Sequence, residues 1–248
     1  MARRTAFVAG ATGKLGPAIC RALASDGLAI AVHAHSNASA AARVVDELAG
    51  DHLAVSGELA AADGPSAPVR AALEHFGRVD VLVNAAHPPL GAIAPVGELD
   101  LAEFEAQLSG VLAHAALCRD VLPSMRANGE GRIVLVAGAL MRRPAPGFAA
   151  YGAAKAAATT LTRYVALEEG RHGVTANIVA PGRVVDPDRP TQLTPEQQAL
   201  TADLERRLAL GAFPTPDDVA HAVASLVRPE GRAVTGQTIW ITGGEPID

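Results

Sequence analysis

Thr5-Ala6-Phe7-Val8-Ala9-Gly10-Ala11-Thr12-Gly13-Lys14-Leu15-Gly16 is the stretch that decides the fold. Thr5–Ala9 is mostly apolar with no polar alternation, which predicts a strand covered on both faces. It runs directly into glycines at positions 10, 13 and 16. Residues 14–26 then place Leu15, Ile19, Ala22 and Leu23 on one stripe and stop at Asp26-Gly27, so a helix opens where the glycines end. One glycine lets the chain turn tightly off the strand, another admits a close backbone approach, and a third lets helix and strand pack. The helix N-terminus adds unpaired N–H groups and a positive dipole. A pyrophosphate fits such a turn, so Gly10, Thr12, Gly13, Lys14, Leu15 and Gly16 are expected to line a dinucleotide.

The same rhythm continues along the chain. Leu28–His33, Leu53–Ser56, Val79–Asn84, Arg132–Val136, Thr175–Ala180 and Thr238–Ile241 read as further strands. Helical patterns lie between them at about 39–49, 65–76, 100–127, 149–171 and 216–227. Repeated strand–helix alternation predicts a single-domain, α/β, Rossmann-type doubly wound parallel sheet of about seven strands over residues 1–248. Residues 183–210 break the rhythm with Pro187, Pro190 and Pro195 and a short helical pattern, and are expected to form a substrate-binding loop or lid.

Bulk properties narrow the function. The net charge is −5 with no run of like charges, which argues against a nucleic-acid or anionic-membrane partner. No stretch approaches a membrane span, and a soluble, cytoplasmic protein is expected. Cys20 and Cys118 fall in apolar helical patterns and read as buried free thiols. The eight histidines form no grouping with metal-ligand spacing, and no Gly-x-Ser-x-Gly elbow supports a hydrolase.

The second strand should end beside an adenosine ribose. It reads His33-Ala34-His35-Ser36-Asn37, with no carboxylate before Asp46 along that segment. A 2′-phosphate would meet no repulsion there and would find donors in His35, Ser36, Asn37 and nearby Lys14. NADP(H) is therefore expected over NAD(H).

In this order the landmarks resemble the one-domain branch of the short-chain dehydrogenase/reductase superfamily. They are Gly10–Gly16, Glu58-Leu59, Asn84-Ala85-Ala86, Tyr151-Gly-Ala-Ala-Lys155, Asn177-Ile-Val-Ala-Pro181-Gly182, Thr235-Gly236-Gln237 and Gly243-Gly244. Lys14 replaces the usual middle glycine, as in the subgroup related to pteridine reductases. The resemblance implies that Glu58 and Leu59 lie by the adenine and that Asn84, Ala85 and Ala86 line the adenosine and ribose. It also implies that Pro181, Gly182 and Val184 flank the nicotinamide, with Asp186 where a Thr usually meets the carboxamide. Relatives usually form homodimers or homotetramers through long helices, so a homo-oligomer is expected.

Tyr151 and Lys155 are four apart and share a helical face, where an ammonium would favour phenolate and lower the phenol pKa. By resemblance Tyr151 exchanges a proton with the substrate oxygen, and Lys155 also holds the ribose hydroxyls. Two further members of the family's tetrad are missing. Gly138 stands thirteen positions before Tyr151, where a serine polarises the carbonyl, and an asparagine's place falls near Gly110. Losing a preorganised donor commonly costs about a hundredfold or more in rate. Replacement candidates are His87, the pair Arg142 and Arg143 (which could clamp an anionic or phenolic substrate), and His114. Gly138 would also enlarge the pocket for a bulky or aromatic substrate. The leading reading is an NADP(H)-dependent carbonyl reductase or alcohol dehydrogenase with a degenerate tetrad. The alternatives are a dehydratase, isomerase or cyclase using Tyr151 as acid/base, or a catalytically silent NADP(H)-binding protein.

Overall fold

In a computed structural model, described over residues 3–61, 64–188 and 194–245, seven strands form one parallel sheet. The strands are β1 (Thr5–Ala9), β2 (Ala29–Ala34), β3 (Leu53–Ser56), β4 (Val81–Asn84), β5 (Gly131–Val136), β6 (Val174–Pro181) and β7 (Thr238–Ile241). Their order is β3-β2-β1-β4-β5-β6-β7. The order reverses between β1 and β4, and a crevice opens at that switch point outside the strands' carboxyl ends.

Among the described residues there are seven α-helices: α1 (Gly16–Ser25), α2 (Ala38–Asp46), α3 (Ala67–Phe76), α4 (Leu101–Asn128), α5 (Ala149–Glu169), α6 (Pro195–Arg206) and α7 (Pro216–Val227), all but α6 packed on the sheet. The two layers follow from strand alternation. Ala6 and Val8 join the core formed with Ile19 and Leu23 of α1 and Val219 and Val223 of α7. Phe7 and Ala9 join the opposite core with Leu117, Val121 and Met125 of α4. Each such fully buried large apolar side chain stabilises the fold by about 1.5–3 kcal/mol.

The expected elements are present with ends shifted by a few residues. The first helix begins at Gly16 rather than at 14, because the turn runs through Leu15, its N-cap residue. The second stops at Asp46, followed by turns and bends through Ala49-Gly50-Asp51 rather than a further helical turn. The fourth strand begins two residues later than expected, at Val81, preceded by Asp80, whose buried carboxylate pairs with Arg78 and accepts from Thr5 N–H. Part of the expected lid is helical (α6), and its residues 189–193 lie outside the described residues. Among the described residues no helix is long and apolar enough to cross a membrane.

Candidate active site

The glycine turn is built by contacts that only hydrogens permit. Gly10 has φ +72°, and a Cβ there would lie 2.6 Å from the Ala86 nitrogen. At Gly16 a Cβ would come within 2.3 Å of the Ala11 carbonyl. His33 fixes this turn from below. Its Nδ1 accepts from the Gly10 N–H at 3.3 Å, and its Nε2 donates to the Gly57 carbonyl at 2.9 Å. Burial lowers its pKa, which favours the neutral ring this pattern needs. His33 is therefore a structural tie between β2 and the chain after β3.

Three features at the adenosine end differ from expectation. Lys14 does not turn toward the end of β2; its Nζ donates to the Val184 carbonyl at 2.5 Å, bridging the glycine turn to the chain after β6. Burial and then Arg183 lower its pKa, opposed by Asp186. Asn37 Oδ1 is occupied as the α2 N-cap, accepting from Ala40 N–H at 2.9 Å. Glu58 brings a carboxylate to 3.4 Å from His35 Nε2, so the β2 end does face an acid, supplied from beyond β3. His35, Ser36, Asn37 and Glu58 are exposed, whereas Leu59 is buried. Spacing along β2 alone could not reveal a neighbour-strand carboxylate.

At the β4 end, Asn84 Oδ1 accepts from Ala86 N–H at 3.1 Å, shaping Asn84-Ala85-Ala86 into a turn beside Gly10. Its Nδ2 donates to His114 Nδ1 at 3.1 Å, and His114 Nε2 donates to the Thr162 hydroxyl at 2.9 Å. His114 is fully buried, and burial pushes its pKa down to about 4, so it is neutral. It supports Asn84 from behind and is not a replacement donor at the site. Its place on α4 was noticed in the sequence, but its partners lie 30 and 48 residues away.

Tyr151 and Lys155 lie together on the first turns of α5. Lys155 Nζ donates to the Val136 carbonyl at 3.0 Å and stands 5.7 Å from the Tyr151 ring centroid. Tyr151 Oη donates to the Ala137 carbonyl in a long 3.4 Å contact. Burial pushes the phenol up to about 12 and the ammonium down to about 8. The expected depression of the phenol pKa is therefore not realised in this arrangement. Desolvation prevails, and the ammonium is engaged by a backbone carbonyl.

The missing tetrad positions are filled by neighbours. A Cβ at Gly138 would lie 2.6 Å from Tyr151 Oη, so the tyrosine tip occupies the space a side chain would take. The pocket enlargement expected at Gly138 is absent for this reason. At Gly110 a Cβ would lie 2.8 Å from Pro88 Cδ. An enclosure of about 20 Å³ remains there, bounded by Asn84, Gln107, Gly110, Tyr151 and Lys155. On the other side of Tyr151 a cleft of about 320 Å³ runs past His87, Gly138, Arg143, Pro181, Gly182 and Arg183. Arg143 is held at 2.7 Å by the buried carboxylate of Glu245, so it is not a free anion clamp, while Arg142 is exposed on the turn. Asp186 accepts from Asp188 N–H at 3.0 Å and shapes the chain beyond Val184.

The family model described as Enoyl-(Acyl carrier protein) reductase matches residues 10–245. The chain belongs to the short-chain dehydrogenase/reductase superfamily. Short-chain reductase protein NovJ of Streptomyces niveus is 31% identical, with 97% of this chain and 93% of that protein covered. The 3-oxoacyl-(acyl-carrier-protein) reductase of Synechocystis sp. is also 31% identical, over 97% and 96%. A crystal structure of a dehydrogenase/reductase from Sinorhizobium meliloti 1021 superimposes with a TM-score of 0.86 at 31% identity, over 99% and 96%. As a superfamily member the chain is an oxidoreductase.

Proposed function

We propose that the chain is an NADP(H)-dependent carbonyl reductase, or alcohol dehydrogenase in reverse, that works without the superfamily serine. The observation that carries this reading is the Tyr151–Lys155 pair at the head of an apolar cleft beside the glycine turn. The residues present fit a dinucleotide. Gly10 and Gly16 let the turn pack against Ala86 and Ala11 where Cβ atoms would collide, and the α1 N-terminus has no side-chain cap to occupy its free N–H groups.

In this reading Gly10, Thr12, Gly13, Leu15 and Gly16 take the pyrophosphate. Leu59 and Asn84-Ala85-Ala86 line the adenosine, and Pro181, Gly182 and Val184 flank the nicotinamide. His35, Ser36, Asn37 and the α2 N-terminus meet the 2′-phosphate, with His35 Nε2 3.4 Å from the Glu58 carboxylate. Lys14 closes the turn over the cofactor through Val184. When bound, the cofactor supplies a hydride at the nicotinamide. Tyr151, with its pKa at about 12, is protonated at neutral pH and donates to the substrate oxygen. Lys155, still an ammonium below about pH 8, stabilises the phenolate left behind. The small enclosure holds about one water, enough to return a proton from the Lys155 side. Residues 183–210 serve as the lid.

The non-redox alternative draws on one observation: Gly138 offers no hydroxyl to polarise a carbonyl opposite Tyr151. Incubation with NADPH and a carbonyl panel, following nicotinamide absorbance and product mass together, separates the two. Reduction that falls by at least about a hundredfold in Tyr151→Phe is expected; product formation without NADPH oxidation would reject the reductase.

A further inference from the structure

The cleft carries a polar group whose hydrogen-bonding sense is fixed by its surroundings. His87 directly follows Asn84-Ala85-Ala86 and meets the Tyr151 ring edge-on, with centroids 6.3 Å apart and planes at 88°. Its Nδ1 lies 2.7 Å from the Pro88 carbonyl, which can only accept, so Nδ1 carries the proton. In the neutral ring Nε2 is then a lone-pair acceptor, with no hydrogen-bond partner among the described residues. Desolvation lowers the His87 pKa, the Pro88 carbonyl opposes it and Lys155 adds to it, with a net shift toward the neutral ring. His87 therefore does not replace the missing serine as a donor.

The remaining wall sharpens the point. Tyr151 is a donor, and Gly138 contributes no hydroxyl. Arg143 is engaged by Glu245, and Arg183 stacks 5.6 Å from the Phe213 ring centroid. Leu90, Leu140, Phe148 and Leu204 supply an apolar surface. His87 is exposed at the cleft, so a plain ketone offers lone pairs to Tyr151 and leaves His87 Nε2 to water alone. A hydroxyl on the carbon next to the carbonyl has the hydrogen that Nε2 lacks.

Resting on the carbonyl-reductase reading, we propose that His87 is a specificity-determining residue that selects ketones bearing an adjacent hydroxyl on an apolar or aromatic body. Tyr151 donates to the carbonyl oxygen while His87 Nε2 accepts from the neighbouring hydroxyl. Reduction adds hydride from NADPH to the carbonyl carbon and a proton from Tyr151 to its oxygen. The second hydroxyl is unchanged, and the product is a vicinal diol.

The test compares 2-hydroxyacetophenone with acetophenone, which differ only in that hydroxyl. kcat/KM with NADPH and calorimetric binding in the presence of NADP+ are measured for wild type, His87→Phe and His87→Gln. Wild type is expected to favour 2-hydroxyacetophenone by about fivefold in both readouts. His87→Phe keeps an aromatic ring against Tyr151 without Nε2 and is expected to reduce the preference to within about twofold. His87→Gln, whose amide oxygen can accept, retains part of it. Equal kcat/KM for both ketones, a preference that survives in His87→Phe, or failure to bind either ketone overturns the assignment. Binding preference lost in His87→Phe without turnover in any variant supports His87 and ends the reductase reading instead.

Discussion

Replacing Gly138 tests how the site manages without a serine. Its φ of −179° is extended backbone that any residue adopts, so a side chain brings no backbone strain. The obstacle is Tyr151 Oη, which a Cβ would meet at 2.6 Å, with Cε1 at 3.3 Å and Cζ at 3.4 Å. Relief to an ordinary contact requires the tyrosine tip to retreat by about 0.8 Å. That breaks only the long Tyr151–Ala137 contact and tilts one side chain, at about 1 kcal/mol. Loss of glycine's freedom in the unfolded chain offsets about 0.4–1 kcal/mol. Gly138→Ala is thus expected to melt within about 4 °C of wild type. Its kcat/KM is expected to fall about tenfold, because the proton donor is displaced. Gly138→Ser has the same Cβ and adds a donor to the developing oxyanion, so it should exceed Gly138→Ala by at least about tenfold. NADPH consumption with acetophenone reads both ratios. Serine within twofold of alanine would refute the claim that the missing hydroxyl limits the chemistry. Alanine equal to wild type would refute the claim that Tyr151 works from its tucked position.

Three further outcomes follow from named contacts. His114 is neutral in the fold with its pKa near 4 against an ordinary 6.5, so the unfolded chain binds the proton first as pH falls. Its stabilising contribution is full above about pH 6.5 and declines by about 3 kcal/mol as pH drops toward 4, and chemical denaturation should show a shallower decline in His114→Gln. Because Lys14 reaches Val184, Lys14→Ala should change NADPH and NADH affinity alike, whereas Glu58→Gln should raise the NADPH/NADH affinity ratio by about threefold or more; cofactor fluorescence titration reads both. Arg143→Ala strands the buried Glu245 carboxylate and should cost about 2–3 kcal/mol, with Glu245→Gln in the same background restoring part of it in thermal melts.

Regular structure was legible because apolar runs and helical stripes are local signals. β1, β3, β7 and α7 have the ends the pattern predicts, and the parallel, doubly wound sheet follows from strand–helix alternation, whereas the strand order is read from the structure. The order of landmarks likewise located the turn at Gly10–Gly16 and the pair Tyr151 and Lys155. Side-chain direction was not legible. Lys14 and Val184 lie 170 residues apart, and Glu58 meets His35 only because β2 and β3 are paired. The sequence showed that Gly138 lacks a hydroxyl, but not that Tyr151 fills the resulting space. The sense of His87 depends on the Pro88 carbonyl, whose direction is a property of the turn rather than of its composition.

The central claim is hydride transfer at a site where Tyr151 supplies the proton and no serine assists. The most direct measurement uses NADPH carrying deuterium at both C4 positions, with 2-hydroxyacetophenone as acceptor and mass spectrometry of the diol. The account predicts one carbon-bound deuterium per product molecule, matched by stoichiometric oxidation of NADPH and lost with turnover in Tyr151→Phe. Product without deuterium, or with NADPH unspent, would contradict it.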